Sequence, residues 1–140
     1  MKPMTQDTIV TQFDRNRLRG MVSVFRKRSA VNPKNLDALE MGLSDAQTVA
    51  PEAVPSDVVT MNSQVILLNL ITRERLTLTL VFPDAMAHAS QRVSVLSLLG
   101  LTLLGCRVGD VLEHCESYGF QPLLVERIAF QPEATGNYFV

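Results

Sequence analysis

Residues 94–110 read SVLSLLGLTLLGCRVGD, and this stretch decides the fold. Residues 93–96 form a short β-type run, and residues 99–104 are apolar with helical character. Residues 107–110 then make a glycine turn that feeds a further extended run at 111–116. Gly100, Gly105 and Gly109 punctuate the stretch, but the lysine and hydroxyl that complete a phosphate loop are missing. The three glycines are therefore read as sites of helix packing and positive-φ turns. Asp110, just before a strand, is read as a turn-stabilising acid.

Upstream, residues 64–70 make a nearly continuous apolar strand. In the next strand Leu76, Leu78 and Leu80 alternate with Thr77 and Thr79, the pattern of a half-buried strand. Residues 71–75 are the expected hairpin turn, and a final strand runs over 123–130. Strands clustered without long intervening helices predict an antiparallel sheet with one short helix on a face, an α+β design. Ahead of it, residues 51–55, PEAVP, read as a linker, because proline neither continues a helix nor favours helix in the residue before it.

The front of the chain has a different period. Asp14 is the expected N-cap of a helix in which Leu18, Met21, Val22 and Phe25 fall on one face and Gly20 on the other. Asn32 and Pro33 then supply a cap and a first-turn proline, followed by Leu36, Leu39, Leu43 and Ala46 at near-heptad spacing. Two such stripes joined by a few residues predict a short antiparallel helical hairpin, with arms of about 17 residues and roughly 25 Å.

Residues 94–110 resemble the signature SVLSPLGxALLGxxVGD of the C-terminal domain of the Gre transcript-cleavage factors, with Leu98 in place of the proline and Thr102 in place of the alanine. PSDVVTMNS at 55–63 and FQPEATGNY at 130–138 are most similar to the Rnk group of that superfamily, named as regulators of nucleoside diphosphate kinase. The resemblance covers roughly residues 57–138 and reaches the front half only by pattern. It implies an FKBP-like sheet domain over 57–140, preceded by an extension (1–12), the hairpin (13–50) and a linker (51–56). It also implies docking on RNA polymerase near the secondary channel through Ser97, Leu98, Leu99 and Gly100.

The cleavage factors present two acids at the tip of a long coiled coil to help bind catalytic magnesium, and a hard cation of that kind demands oxygen ligands. Here the connection at 29–35, SAVNPKN, has no Asp or Glu, and the nearest acids, Asp37 and Glu40, fall inside the second helix. The expectation is a regulator without catalytic residues, metal or cofactor, which competes with the cleavage factors and does not stimulate cleavage. Prolyl isomerase activity, which the fold resemblance raises, is not expected with Tyr118 and Tyr138 as the tyrosines and no Trp to line an aromatic pocket.

Bulk features set the remaining bounds. At 140 residues, 46% hydrophobic and 19% charged, the chain is of ordinary globular character. No apolar run approaches the roughly 20 residues of a membrane span, and MKPMTQDTIV lacks a secretion-signal layout, so a cytoplasmic location is expected. Cys106 and Cys115 match no zinc or redox spacing, and His88 and His114 lack the partners of a hydrolytic triad. Residues 1–51 hold eight bases and five acids, whereas residues 52–140 hold five bases and nine acids. Electrostatic contact with nucleic acid is thus confined to the first helix, where Arg15, Arg19 and Arg26 lie on one flank of the stripe and Arg17 and Arg28 on the other. A nucleic-acid-binding module using these bases is the alternative function. Either a monomer or a dimer is compatible with the stripe of the second helix.

Overall fold

A computed structural model describes residues 8–28, 32–83, 91–116 and 119–136. The elements run β1 (Ile9–Thr11), α1 (Gln12–Phe25), α2 (Pro33–Asp45), β2 (Gln47–Val49), β3 (Gln64–Asn69), β4 (Arg75–Val81), β5 (Arg92–Ser94), α3 (Leu98–Leu103), β6 (Val111–Glu116) and β7 (Gly119–Phe130). Short 3₁₀ turns occupy Pro51–Ala53, inside the expected linker, and Glu133–Thr135. Residues 29–31 of the hairpin connection, His88, Tyr118 and Tyr138 lie outside the described residues.

The five-stranded sheet has the order β5-β4-β3-β7-β6. Its β3–β4, β3–β7 and β6–β7 pairings are antiparallel, as the clustered strands predict. One pairing corrects that reading: β5 runs parallel to β4. Residues 82–91 separate the two, a link too long for the tight hairpin that would force the opposite direction. The turn between β3 and β4 forms as expected, with Asn69 Oδ1 accepting from the N–H groups of Ile71 and Thr72. Arg73 takes a positive φ of 66° there.

A second, two-stranded parallel sheet pairs β1 with β2 and was not foreseen. It clasps the two ends of the helical segment, since β1 leads into α1 and β2 follows α2. The start of α1 also differs from expectation. Thr11 is the N-cap, its Oγ1 accepting from the Asp14 N–H at 3.0 Å, and Asp14 sits three positions into the first turn. At α2 the expected cap holds, because Asn32 accepts from the Lys34 N–H at 2.9 Å and Pro33 opens the helix.

Helices and sheet bury one common core. Leu18, Val22 and Phe25 of α1, with Leu36, Leu39 and Leu43 of α2, join Val65, Leu67, Leu80, Leu112 and Val125 of the sheet in a single apolar cluster. The near-heptad stripe of α2 is thereby used within the chain, with Leu39 and Leu43 fully buried. Burial of this kind, at about 25 cal/mol per Å² of apolar surface, is what holds helices of 14 and 13 residues that would be marginal alone. At 1.5 Å per residue each arm is about 20 Å long.

Candidate partner-docking site

The turn at residues 94–100 is built around Ser97. As N-cap of α3 its Oγ accepts from the Gly100 N–H at 3.0 Å and donates to the Ser94 carbonyl at 2.7 Å. Gly100 is buried, and a Cβ placed on it would lie 1.9 Å from the Ser94 carbonyl oxygen. This glycine is required because the helix backbone rests directly on the preceding loop. Leu99 packs against the core, while Leu98 is 48% exposed. Of the four expected contact residues, then, Ser97 and Gly100 shape the turn and Leu98 presents an apolar side chain to solvent. Asn35 of α2 donates from Nδ2 to the Leu96 carbonyl at 2.8 Å, fixing the helical arm beside this turn.

The glycine turn after α3 behaves as its sequence suggests. Gly105 and Gly109 have φ of 81° and 98°, in the left-handed region where a side chain is strained. Asp110 Oδ2 accepts from the Arg107 N–H at 2.9 Å, a turn-stabilising bond. Cys106 is a buried thiol whose Sγ donates to the Thr102 carbonyl.

On the arm, the acids closest to the hairpin connection are engaged with a base. Arg26 Nη2 lies 2.7 Å from Asp37 Oδ1 and 3.0 Å from Glu40 Oε1, all three groups being well exposed. No group of three or more His, Cys, Asp or Glu side chains suited to a metal ion occurs among the described residues. The other flank cations divide in use. Arg15 Nε donates to the Leu43 carbonyl at 3.3 Å and ties α1 to α2, whereas Arg19 is exposed.

A second polar cluster, at the root of the arm, is one that the sequence reading missed. Asp14 is 2% exposed, and its Oδ2 accepts from the Met61 N–H at 3.0 Å while Oδ1 accepts from Arg17 Nη2 at 3.1 Å. Glu133, 8% exposed, accepts from the Thr60 hydroxyl at 2.7 Å. That hydroxyl is 2.9 Å from Ser63 Oγ, which in turn accepts from the Thr60 N–H at 3.0 Å. Beside them Gln131 Nε2 donates to the carbonyls of Pro55 and Val58. Burial pushes both carboxyls above their usual range. For Asp14 the bonds from Met61 and Arg17 oppose the shift, and for Glu133 the Thr60 hydroxyl opposes it while the Asp14 charge adds to it. The TMNS of residues 60–63 and the QPE of residues 131–133 are thus joined to α1 in one network.

The signal for this cluster was present in part. Thr11 and Asp14 have the spacing of a capping box, Thr-x-x-Asp, which would have moved the cap three residues back and freed Asp14 for another role. Pairing Thr60 with Glu133, 73 positions away, has no counterpart in local pattern.

With this geometry in place, comparison with known proteins becomes specific. Residues 54–115 match the family model described as transcription elongation factor, GreA/GreB, C-terminal. The chain is 43% identical over 106 residues to the "Regulator of nucleoside diphosphate kinase" of Escherichia coli strain K12, a match spanning 74% of this chain and 77% of that protein. The same figures hold for the protein of that name from Shigella flexneri. Among solved structures, the prokaryotic transcription elongation factor GreA/GreB from Nitrosomonas europaea superposes with a TM-score of 0.76 at 28% identity, covering 88% of this chain and 99% of that one.

Proposed function

Because this chain belongs to the Gre/Rnk family, a family of non-catalytic regulators, we propose that it docks on RNA polymerase near the secondary channel and competes there with transcript-cleavage factors without stimulating cleavage. The sheet and α3 are read as the FKBP-like docking module, with Leu98 as the apolar anchor; an exposed leucine on a rigid turn suits that task. One observation carries the non-cleaving half of the proposal. Asp37 and Glu40, the acids closest to the connection, lie within α2 and are both held by Arg26 at 3.0 Å or less. A pair arranged in that way is poorly placed to offer oxygen ligands to a metal inside another enzyme. Arms of about 20 Å point in the same direction.

The test is co-purification with core RNA polymerase followed by a cleavage assay on stalled elongation complexes. Wild type is expected to bind, to slow cleavage stimulated by a Gre factor, and to yield no cleavage product alone. Leu98→Asp is expected to reduce retention at least about tenfold while leaving the melting temperature unchanged, as suits a side chain already in water. Stimulated cleavage by the wild type overturns the reading of the arm, and unaltered binding by Leu98→Asp overturns the anchor. The phosphate-binding alternative has less to work with, since Arg15 and Arg26 have intramolecular partners.

A further inference from the structure

Along α1 runs a groove of about 280 Å³ with apolar walls formed by Met21, Val24, Phe25, Phe82 and Pro83. That volume falls just below the roughly 300–1,000 Å³ of sites for drug-sized ligands, so it suits one or two large side chains better than a cofactor. Among the described residues, Val24 leaves 51% of its surface in water there.

The charged side chains that line the groove are both arginines, Arg17 and Arg28. Residues 8–28 hold Arg15, Arg17, Arg19, Arg26, Lys27 and Arg28 against one acid, Asp14, which pairs with Arg17, while Asp37 and Glu40 of α2 pair with Arg26. Arg17 and Arg28 each lie over aromatic rings. The Arg17 guanidinium is 4.3 Å from the Phe13 ring centre and 4.5 Å from that of Phe82, and Arg28 is 4.7 Å from that of Phe25. A guanidinium over a ring still has N–H donors for a carboxylate, although on Arg17 one of them, at Nη2, is already given to Asp14. It also occupies one face of each ring, which leaves less aromatic surface on which a nucleobase could stack.

We propose that this groove receives an acidic segment of a partner protein, which seats a large apolar side chain against Val24 and Phe82 and places a carboxylate on Arg28. The proposal does not rest on polymerase docking through α3, and it stands or falls separately.

The experiment uses the full chain with labelled methyl groups, followed by NMR during titration. The probe is a synthetic hexapeptide with a central leucine and phenylalanine flanked on each side by two acidic residues. The controls are the same peptide with lysines in place of the acids, and a six-nucleotide oligouridylate. The acidic peptide is expected to shift the Val24 and Met21 methyls saturably, and neither control should do so. Arg28→Glu and Val24→Asp, both at exposed positions, should each weaken binding at least about tenfold. Arg19→Glu, on the same helix but outside the groove, should weaken it no more than about twofold. Unmoved groove methyls, equal binding of the lysine peptide, preferential binding of oligouridylate, or an Arg28→Glu variant that binds as wild type would each overturn the proposal.

Discussion

Two pairs of acids, one on the outer face of the helical arm and one where the arm meets the sheet domain, show how differently the same chemistry behaves in the two places. On the outer face Asp37 and Glu40 share Arg26 in solvent, with side-chain exposures of 64% and 55%. At the root Asp14 and Glu133 are almost dry, and the charge of Asp14 adds to the upward shift of Glu133. Exposed ion pairs contribute little, because water and salt screen them and long side chains lose freedom in making them. Buried carboxyls are costly unless fully bonded, so their partners are held firmly and their removal is felt. Acids that attract notice by position in the sequence are therefore the less consequential pair for the fold, and acids hidden in a first turn and a 3₁₀ turn both hold residues 60–61, just before β3.

The sharpest way to break this contrast is Asp14→Ala. The substitution strips the Met61 N–H of its buried acceptor and leaves Arg17 without its carboxylate, so a loss of about 3 kcal/mol in stability is expected. Urea unfolding of the variant against wild type measures it. A change of a few tenths would mean that the root network is dispensable.

The next test uses pH. Burial raises the folded-state pKa of Glu133 and of Asp14 above the unfolded values, so the folded chain holds these protons more tightly. Their contribution to stability is fully present below the usual carboxylate range and is lost as pH rises through the raised values. Glu126, which Arg75 pulls below the usual range, acts with the opposite sign: its contribution is present above that range and is lost on acidification. Glu133→Gln keeps an oxygen for the Thr60 hydroxyl and removes one titration. Melting temperature should then fall less from mildly acid to neutral pH than in wild type. A slope as steep as that of wild type would assign the proton to some other group.

These same residues show what could be read before the fold was known. The stripe of Leu18, Val22 and Phe25, the alternation of Leu76, Leu78 and Leu80, and the turn glycines Gly105 and Gly109 are local signals, and they placed both helices, the hairpin and α3. Strands β1 and β2 escaped because three residues are too few to establish a period. The parallel entry of β5 escaped because direction is set by where a long link ends and not by its composition. At the turn of residues 94–100, Ser97 and Gly100 could be singled out from the motif. That both serve the turn itself, leaving Leu98 to the surface, follows from the 1.9 Å approach of a Gly100 Cβ to Ser94 and not from any pattern. Asp14 and Glu133 were invisible as a pair for the same reason, since contact across the chain is a property of the packed core.

The smallest expected effect completes the comparison from the other side. Arg26→Ala removes both outer ion pairs at once, and because all three groups are exposed the melting temperature should stay within the scatter of repeated measurements. What changes is charge, since Asp37 and Glu40 are released beside the hairpin connection. If their pairing with Arg26 is what keeps them from serving as metal ligands, the variant should show cleavage stimulation that wild type lacks when assayed with stalled complexes and magnesium. If the arm is also too short, no cleavage appears in either protein, and length becomes the deciding property. The two explanations for the proposed lack of cleavage stimulation, charge and reach, are in this way separated by one substitution at exposed ion pairs.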